Sequence, residues 1–150
     1  MKIRLESAEE TIKLGEKLGK LLGGGDVVAL VGQLGSGKTT LVKGIASGTG
    51  VEDARHLNSP SFVILKEYSG RVPLYHFDIY RLNDPCELDT VGYKDYFYGN
   101  GVSVVEWADK IEDIMPEEYL QIKLVVVKED VREAELKAKG TQYESLLQKF

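Results

Sequence analysis

A chain of 150 residues with 43% apolar and 29% charged content has the size and composition of one soluble globular domain, too short for two ordinary cores. No apolar stretch approaches the ~20 residues of a membrane span, and residues 1–6 lack the apolar core of a secretory signal, so a cytoplasmic protein without membrane association is expected. The single cysteine, Cys86, excludes an internal disulfide and a cysteine-rich metal site and reads as a small packing residue. The net charge of −5 is uneven, because residues 83–120 hold ten acids against Lys94 and Lys110 and leave a slightly basic remainder. That segment repels nucleic-acid phosphates and either complements a basic protein surface or forms a solvated face.

Ser7-Ala8-Glu9-Glu10 matches a capping box, and Thr11, Leu14, Leu18, Leu21 and Leu22 then recur at helical spacing until Gly23-Gly24-Gly25 stops the helix. The apolar run Val27-Val28-Ala29-Leu30-Val31 reads as a buried strand, and it leads directly into Gly32-Gln33-Leu34-Gly35-Ser36-Gly37-Lys38-Thr39. This is the G-x-x-x-x-G-K-T pattern of a phosphate-binding P-loop. Its glycines let successive N–H groups converge on a β-phosphate, Lys38 neutralises the β and γ oxygens, and the Thr39 hydroxyl is placed to ligate Mg²⁺. Thr40 and the following residues continue with helical spacing, which delivers the phosphates to a helix N-terminus that favours anions.

Residues 48–58 read as a connection, and residues 62–68 as a strand that pairs with residues 72–78 in an antiparallel hairpin across Ser69-Gly70-Arg71. Residues 85–98 are helical but broken by Gly92, and Val102-Ser103-Val104-Val105-Glu106 is a short buried strand ending in an acid. A helix over residues 108–114, a strand over 119–127, its hairpin partner over 132–138 and a short helix from Thr141 complete the pattern. The segment after Lys128 is expected to cover a sheet edge. Alternating strands and helices with two hairpins predict one α/β domain over residues 1–150, a P-loop NTPase-like three-layer fold with a mixed parallel and antiparallel sheet.

A P-loop requires further groups for Mg²⁺ and for the attacking water, supplied by acids at strand ends. Glu106 follows its strand as a Walker B carboxylate would, with Glu where Asp is usual, and Asp78 ends the strand Leu74-Tyr75-His76-Phe77-Asp78. The pattern leaves open which acid holds metal and which orients water. His76 reads as a hydrogen-bonded scaffold residue or a proton carrier, Arg81 as a charge stabiliser or a brace, and Trp107 as core, stacking platform or partner anchor. Asn58-Ser59-Pro60-Ser61-Phe62 lies where nucleotide-sensing switches lie in GTPases, and a simple turn explains it equally well.

Four blocks in order, residues 32–40, 58–62, His76-Phe77-Asp78-Ile79-Tyr80-Arg81-Leu82 and Val104-Val105-Glu106-Trp107-Ala108, resemble the TsaE (YjeE) family over roughly the first three quarters of the chain. The resemblance implies a small, slow P-loop ATPase using ATP and Mg²⁺. It implies work with TsaB and TsaD in forming N6-threonylcarbamoyladenosine at position 37 of tRNA, with hydrolysis resetting the partner complex and tRNA held only indirectly. By the same resemblance Lys38 and Thr39 bind phosphate and metal, Asp78 and Glu106 are the site acids, and Ser59, Pro60, Ser61 and Phe62 are the switch. Tyr80, Arg81 and Trp107 then lie at the partner edge, and Thr11 lies beside the adenine. A chain of net charge −5 without a basic stripe suits tRNA contact through partners.

Two other classes compete. A small-molecule kinase usually brings an arginine-rich lid over the phosphates, whereas Arg4, Arg55, Arg71, Arg81 and Arg132 are scattered along this chain. A GTPase switch would carry an Asn-Lys-x-Asp guanine signature, which the sequence lacks.

Overall fold

The computed structural model describes residues 1–58 and 64–150. Its strands are β1 (Lys2–Leu5), β2 (Val27–Val31), β3 (Leu65–Tyr68), β4 (Leu74–Asp78), β5 (Val102–Glu106), β6 (Tyr119–Lys128) and β7 (Val131–Lys139). Among the described residues they form one seven-stranded sheet in the order β1-β7-β6-β2-β5-β4-β3. The central strands β6, β2, β5 and β4 are mutually parallel, while β3 and the β7–β1 side add antiparallel edges. The sheet is therefore mixed, as the two hairpins in the sequence require.

β2 is buried on both faces, which is why it reads as an unbroken apolar run and not as an alternation. Val28 and Leu30 join one core with residues of α1 (Ala8–Leu21), α2 (Lys38–Gly48) and α4 (Thr141–Gln148). Val27 and Ala29 join the opposite core with Phe77, Leu88, Ile111 and the aromatic rings of α3 (Tyr93–Phe97). This gives three layers. The Tyr143 hydroxyl of α4 accepts a hydrogen bond from the Val27 N–H at 2.9 Å, so the chain's last helix is tied to the first residue of the central strand.

Ser7 caps α1 as the sequence predicts, its hydroxyl accepting from the Glu10 N–H at 3.2 Å. The reciprocal bond is displaced by one residue, because the Glu10 carboxylate accepts from the Glu6 N–H at 2.6 Å and not from Ser7. Gly92, with φ +69°, breaks the helical stretch after Leu82 as expected, but the half before it, Pro85–Val91, is a 3-10 helix. The helix expected over residues 108–114 is present with those bounds, Ala108–Ile114, as a 3-10 helix interrupted at Ile111.

β1 is absent from the sequence reading. Its polar residues Lys2 and Arg4 mask the alternation that places Leu5 in the core, and its pairing with β7, from Lys2↔Glu135 to Leu5↔Arg132, is fixed only at long range. Cys86 corrects an expectation: it is exposed on the 3-10 helix and packs into no core. Residues 62 and 63 of the strand predicted over residues 62–68 lie outside the described residues. The chain beyond Lys128 extends the sheet through β7, which is itself covered at its outer edge by β1. Most of the acids in residues 83–120 are exposed, Glu106 being buried. Among the described residues no helix is long and apolar enough to cross a membrane.

α1 and α2 touch through glycines, and this close approach seats the helix that follows the P-loop. A Cβ built on Gly44 would lie 2.2 Å from the Ile12 carbonyl oxygen and 2.9 Å from the Gly15 Cα. Alanine at an open helix position gains about 1 kcal/mol over glycine, but overpacking against main chain costs about 1–3 kcal/mol or more. The clash should win, so Gly44→Ala is expected to lower the urea unfolding midpoint; a raised midpoint would show that the helix pair separates freely.

Candidate functional site

The loop between β2 and α2 takes its shape from glycine. Gly35 and Gly37 have φ of +80° and +102°, conformations that L side chains rarely adopt. A side chain at Gly32 would run into the Ser36 hydroxyl at 2.6 Å and the Leu124 carbonyl at 2.7 Å. Ser36 closes the turn by donating its N–H to the Gln33 carbonyl at 3.0 Å.

Lys38, the first residue of α2, is only 4% exposed. Its ammonium folds back into the loop, donating to the carbonyls of Gly32 (2.7 Å) and Gln33 (2.8 Å) and to the Ser36 hydroxyl (3.3 Å). It also sits 4.1 Å from the centre of the Trp107 ring, within cation–π range. Burial lowers the ammonium pKa from the ordinary lysine value, and the carboxylates of Glu106, Asp78 and Asp109 oppose that fall.

The two acids end adjacent parallel strands and lie directly side by side, Asp78 opposite Glu106 in the β4–β5 register. Leu30 of β2 flanks Glu106 on the other side, which carries the carboxylate to the mouth of the glycine loop. The Thr39 hydroxyl donates to the Glu106 carboxylate, with oxygens at 3.1 and 3.3 Å. His76 Nε2 lies 2.6 Å from Glu106 Oε2, and both side chains are buried. A carboxylate only accepts, so the imidazole proton belongs on Nε2. This leaves Nδ1 buried with no hydrogen-bond partner among the described residues. His76 is thus hydrogen-bonded to the acid, a contact common to a scaffold residue and a proton carrier. Asp78 turns one oxygen to the Tyr80 N–H at 3.1 Å.

Trp107 follows Glu106 in the left-handed region, φ +65°, a conformation rare for a bulky residue and associated with about 1–3 kcal/mol of strain. The turn aims its ring between Lys38 and Tyr80, whose ring centre is 4.9 Å away. Lys110 packs over the Tyr80 ring at 5.4 Å and donates to the Tyr80 carbonyl. Trp107 is therefore neither pure core nor pure surface but a wall of the site.

A cleft of about 400 Å³ gathers Leu34, Gly35, Gly37, Lys38, Thr39, Thr40, Asp78, Tyr80, Glu106, Trp107 and one unforeseen residue, Arg132. Gly32, Gln33 and Ser36 line a neighbouring cleft on the other side of Trp107. Arg81 is exposed and lines neither cleft. Thr11 is buried, donates to the Ser7 carbonyl at 3.3 Å, and is absent from both linings. Ser59, Pro60, Ser61 and Phe62 lie outside the described residues. Arg132 was passed over in the sequence because no local motif surrounds it; the only signal available was an arginine at the start of a strand.

The model of the family described as "Threonylcarbamoyl adenosine biosynthesis protein TsaE" matches residues 5–134. The chain belongs to the TsaE family. The tRNA threonylcarbamoyladenosine biosynthesis protein TsaE of Bacillus subtilis (strain 168) is 43% identical, the alignment covering 100% of this chain and 93% of that relative. The protein of the same name from Treponema pallidum (strain Nichols) is 40% identical over 85% of this chain and 93% of its own length. The crystal structure of Bacillus subtilis YdiB superposes with a TM-score of 0.83 at 39% identity, covering 99% of this chain and 92% of the other. The family match reaches past Pro116, where the motif blocks fade, and covers β6 and the first residues of β7.

Because the folded-state pKa of Lys38 is lowered, the unfolded chain holds the extra proton to higher pH. The group's contribution to stability therefore rises as pH climbs from the folded value towards the ordinary lysine value. Glu106 is the largest of the opposing influences. In an NMR titration of the lysine side chains, Glu106→Gln is expected to move Lys38 to a still lower pKa; an unchanged or higher value would mean that the carboxylate does not act on the ammonium.

Proposed function

We propose that residues 1–150 act as one P-loop ATPase unit that binds ATP with Mg²⁺, hydrolyses it slowly alone, and supports tRNA threonylcarbamoyladenosine formation in the cytoplasm by resetting a TsaB–TsaD complex. The observation that carries the nucleotide reading is the convergence of a glycine loop, a buried lysine, a helix N-terminus and two carboxylates in one cleft. The names of the two bacterial relatives support the tRNA-modification setting. TsaB and TsaD enter through the family resemblance of the four sequence blocks.

In this reading the phosphate chain takes the place of the carbonyls now holding the Lys38 ammonium, an exchange of neutral acceptors for charged ones that strengthens each hydrogen bond. The donor set fits Mg²⁺: a hydroxyl and two carboxylates at most, all hard oxygens, from Thr39, Glu106 and Asp78. Among the described residues no group of three or more His, Cys, Asp or Glu could hold a metal ion, so phosphate oxygens and water would have to complete the shell of a bound Mg²⁺. Bound Mg²⁺ would neutralise charge on the β and γ oxygens. His76 holds the Glu106 carboxylate in place, and Glu106 either orients the attacking water or joins Thr39 at the metal. Trp107 and Tyr80 wall the cleft at the edge where the partner would sense the nucleotide.

Lys38→Ala removes a charged donor, worth about 1.5–3 kcal/mol or roughly ten- to a hundredfold in affinity. Calorimetric titration with Mg·ATP should show that loss while the unfolding midpoint stays close to wild type; wild-type affinity in the variant would remove the lysine from the site. Glu106→Ala is expected to retain ATP and hydrolyse it poorly if the acid orients water, and to lose Mg²⁺-dependent binding if it holds the metal. ATP turnover measured with and without purified TsaB and TsaD tests the partner role: a rate indifferent to both would redirect the search to a small-molecule phosphate acceptor.

A further inference from the structure

Five main-chain carbonyls converge on one side chain far from the P-loop in sequence. Arg132 is the second residue of β7. Its Nε donates to the Ser36 carbonyl and its Nη2 to the Gly35 carbonyl, each at 3.2 Å. Its Nη1 donates to the carbonyls of Lys128 (3.2 Å), Glu129 (2.9 Å) and Val131 (3.2 Å) in the β6–β7 turn. Among the described residues no salt bridge includes Arg132, so its charge meets carbonyl dipoles and no carboxylate. The same residue lines the cleft beside Lys38, Thr39 and Glu106.

This arrangement acts on the loop's geometry. Peptide units here are trans, so a carbonyl and the following N–H point in opposite directions within one plane. With the Ser36 carbonyl turned to the guanidinium, the Gly37 N–H points away from it. Lys38 holds the carbonyls of Gly32 and Gln33, so two cations fix four of the loop's carbonyls. Gly35 and Gly37, two of the loop's positive-φ glycines, have much freedom to lose, and Arg132 takes the carbonyl of Gly35 and that of Ser36 between them. A planar guanidinium spreads five donors over a rigid fork, one edge to the loop and the other to the hairpin turn, whereas an ammonium has three donors on a single nitrogen.

We propose that Arg132 is a positioning residue for the phosphate chain: a latch from the β6–β7 hairpin that holds the tip of the glycine loop in its anion-ready shape before ligand arrives. The inference rests on the nucleotide reading above and adds to it the element that preorganises the loop. Binding then costs less ordering than a free glycine loop would require.

The test compares wild type, Arg132→Ala and Arg132→Lys in three measurements: hydrogen exchange in the ligand-free protein, calorimetric titration with Mg·ATP and with magnesium tripolyphosphate, and the thermal midpoint. For Arg132→Ala, faster exchange confined to peptides covering residues 33–39 and the hairpin turn is expected. Affinity should fall about tenfold or more, by the same factor for ATP and tripolyphosphate, since the loop meets phosphates and not the base. Arg132→Lys should recover only part of the loss. Unchanged loop exchange, with or without weaker binding, overturns the latch, because a direct charge effect would leave the loop as it is. Accelerated exchange spread evenly over the chain also overturns it, and so does affinity within about twofold of wild type. A wild-type chain that takes up neither ligand would instead overturn the nucleotide reading, and wild-type binding with an indifferent Arg132→Ala variant would overturn the latch alone.

Discussion

The parallel pairing of β2 between β5 and β6 is the constraint on which the rest depends. It is buried on both faces and bonded along both edges, so its direction and register leave no freedom. Parallel strands bring their C-terminal ends to one edge of the sheet, and the residues that follow them meet there. The glycine loop leaves β2 at that edge, Glu106 and Trp107 leave β5, Asp78 leaves β4, and the exposed valines of β6 rise beside them. The glycine contacts of α1 with α2 then fix the helix whose first residue is Lys38. Moving β2 by one residue would turn Val28 and Leu30 into the opposite core and separate the loop from its acids.

Charge sits in this edge at low exposure. Lys38 and Glu106 are both buried, and an isolated buried charge would be prohibitive. Each is matched: the ammonium by carbonyls and an aromatic face, the carboxylate by Thr39 and His76. Two features remain unfavourable, the left-handed backbone of Trp107 and the unpaired His76 Nδ1, the latter among the described residues. Both adjoin Glu106. Strain gathered around one carboxylate, within a rigid sheet, is the pattern expected where geometry is held for binding or chemistry at the expense of stability.

Most acids of residues 83–120 lie on the outer layer, while Glu106 and Asp109 reach the buried Lys38. Apart from β5 and the start of β6, residues 83–120 build the layer of 3-10 helices and α3 over the sheet face opposite α1 and α2, and their carboxylates are mostly exposed. A surface of that sign steers basic partners and disfavours direct contact with a nucleic-acid backbone. The chain thus joins a glycine-loop edge to a body without a basic stripe.

The sequence by itself determined whatever rests on local chemistry. The apolar run before residues 32–39, the positive-φ glycines, the Ser7 cap, the Gly92 break and the acid at the end of Val102–Glu106 are properties of neighbouring residues, and each was legible for that reason. Runs of strand-forming residues separated by turn signals likewise pointed to both hairpins and the mixed sheet. Tertiary structure alone decided which distant groups meet. Asp78 and Glu106 become neighbours through strand register, Thr39 reaches Glu106 across 67 residues, and Arg132 reaches Ser36 across 96. It also decided β1, whose four residues have no stable pairing except against β7, and the 3-10 geometry of segments that read only as helical. An arginine satisfied by main-chain carbonyls leaves no sequence signature, because any residue supplies a carbonyl; only the folded chain shows which ones it holds.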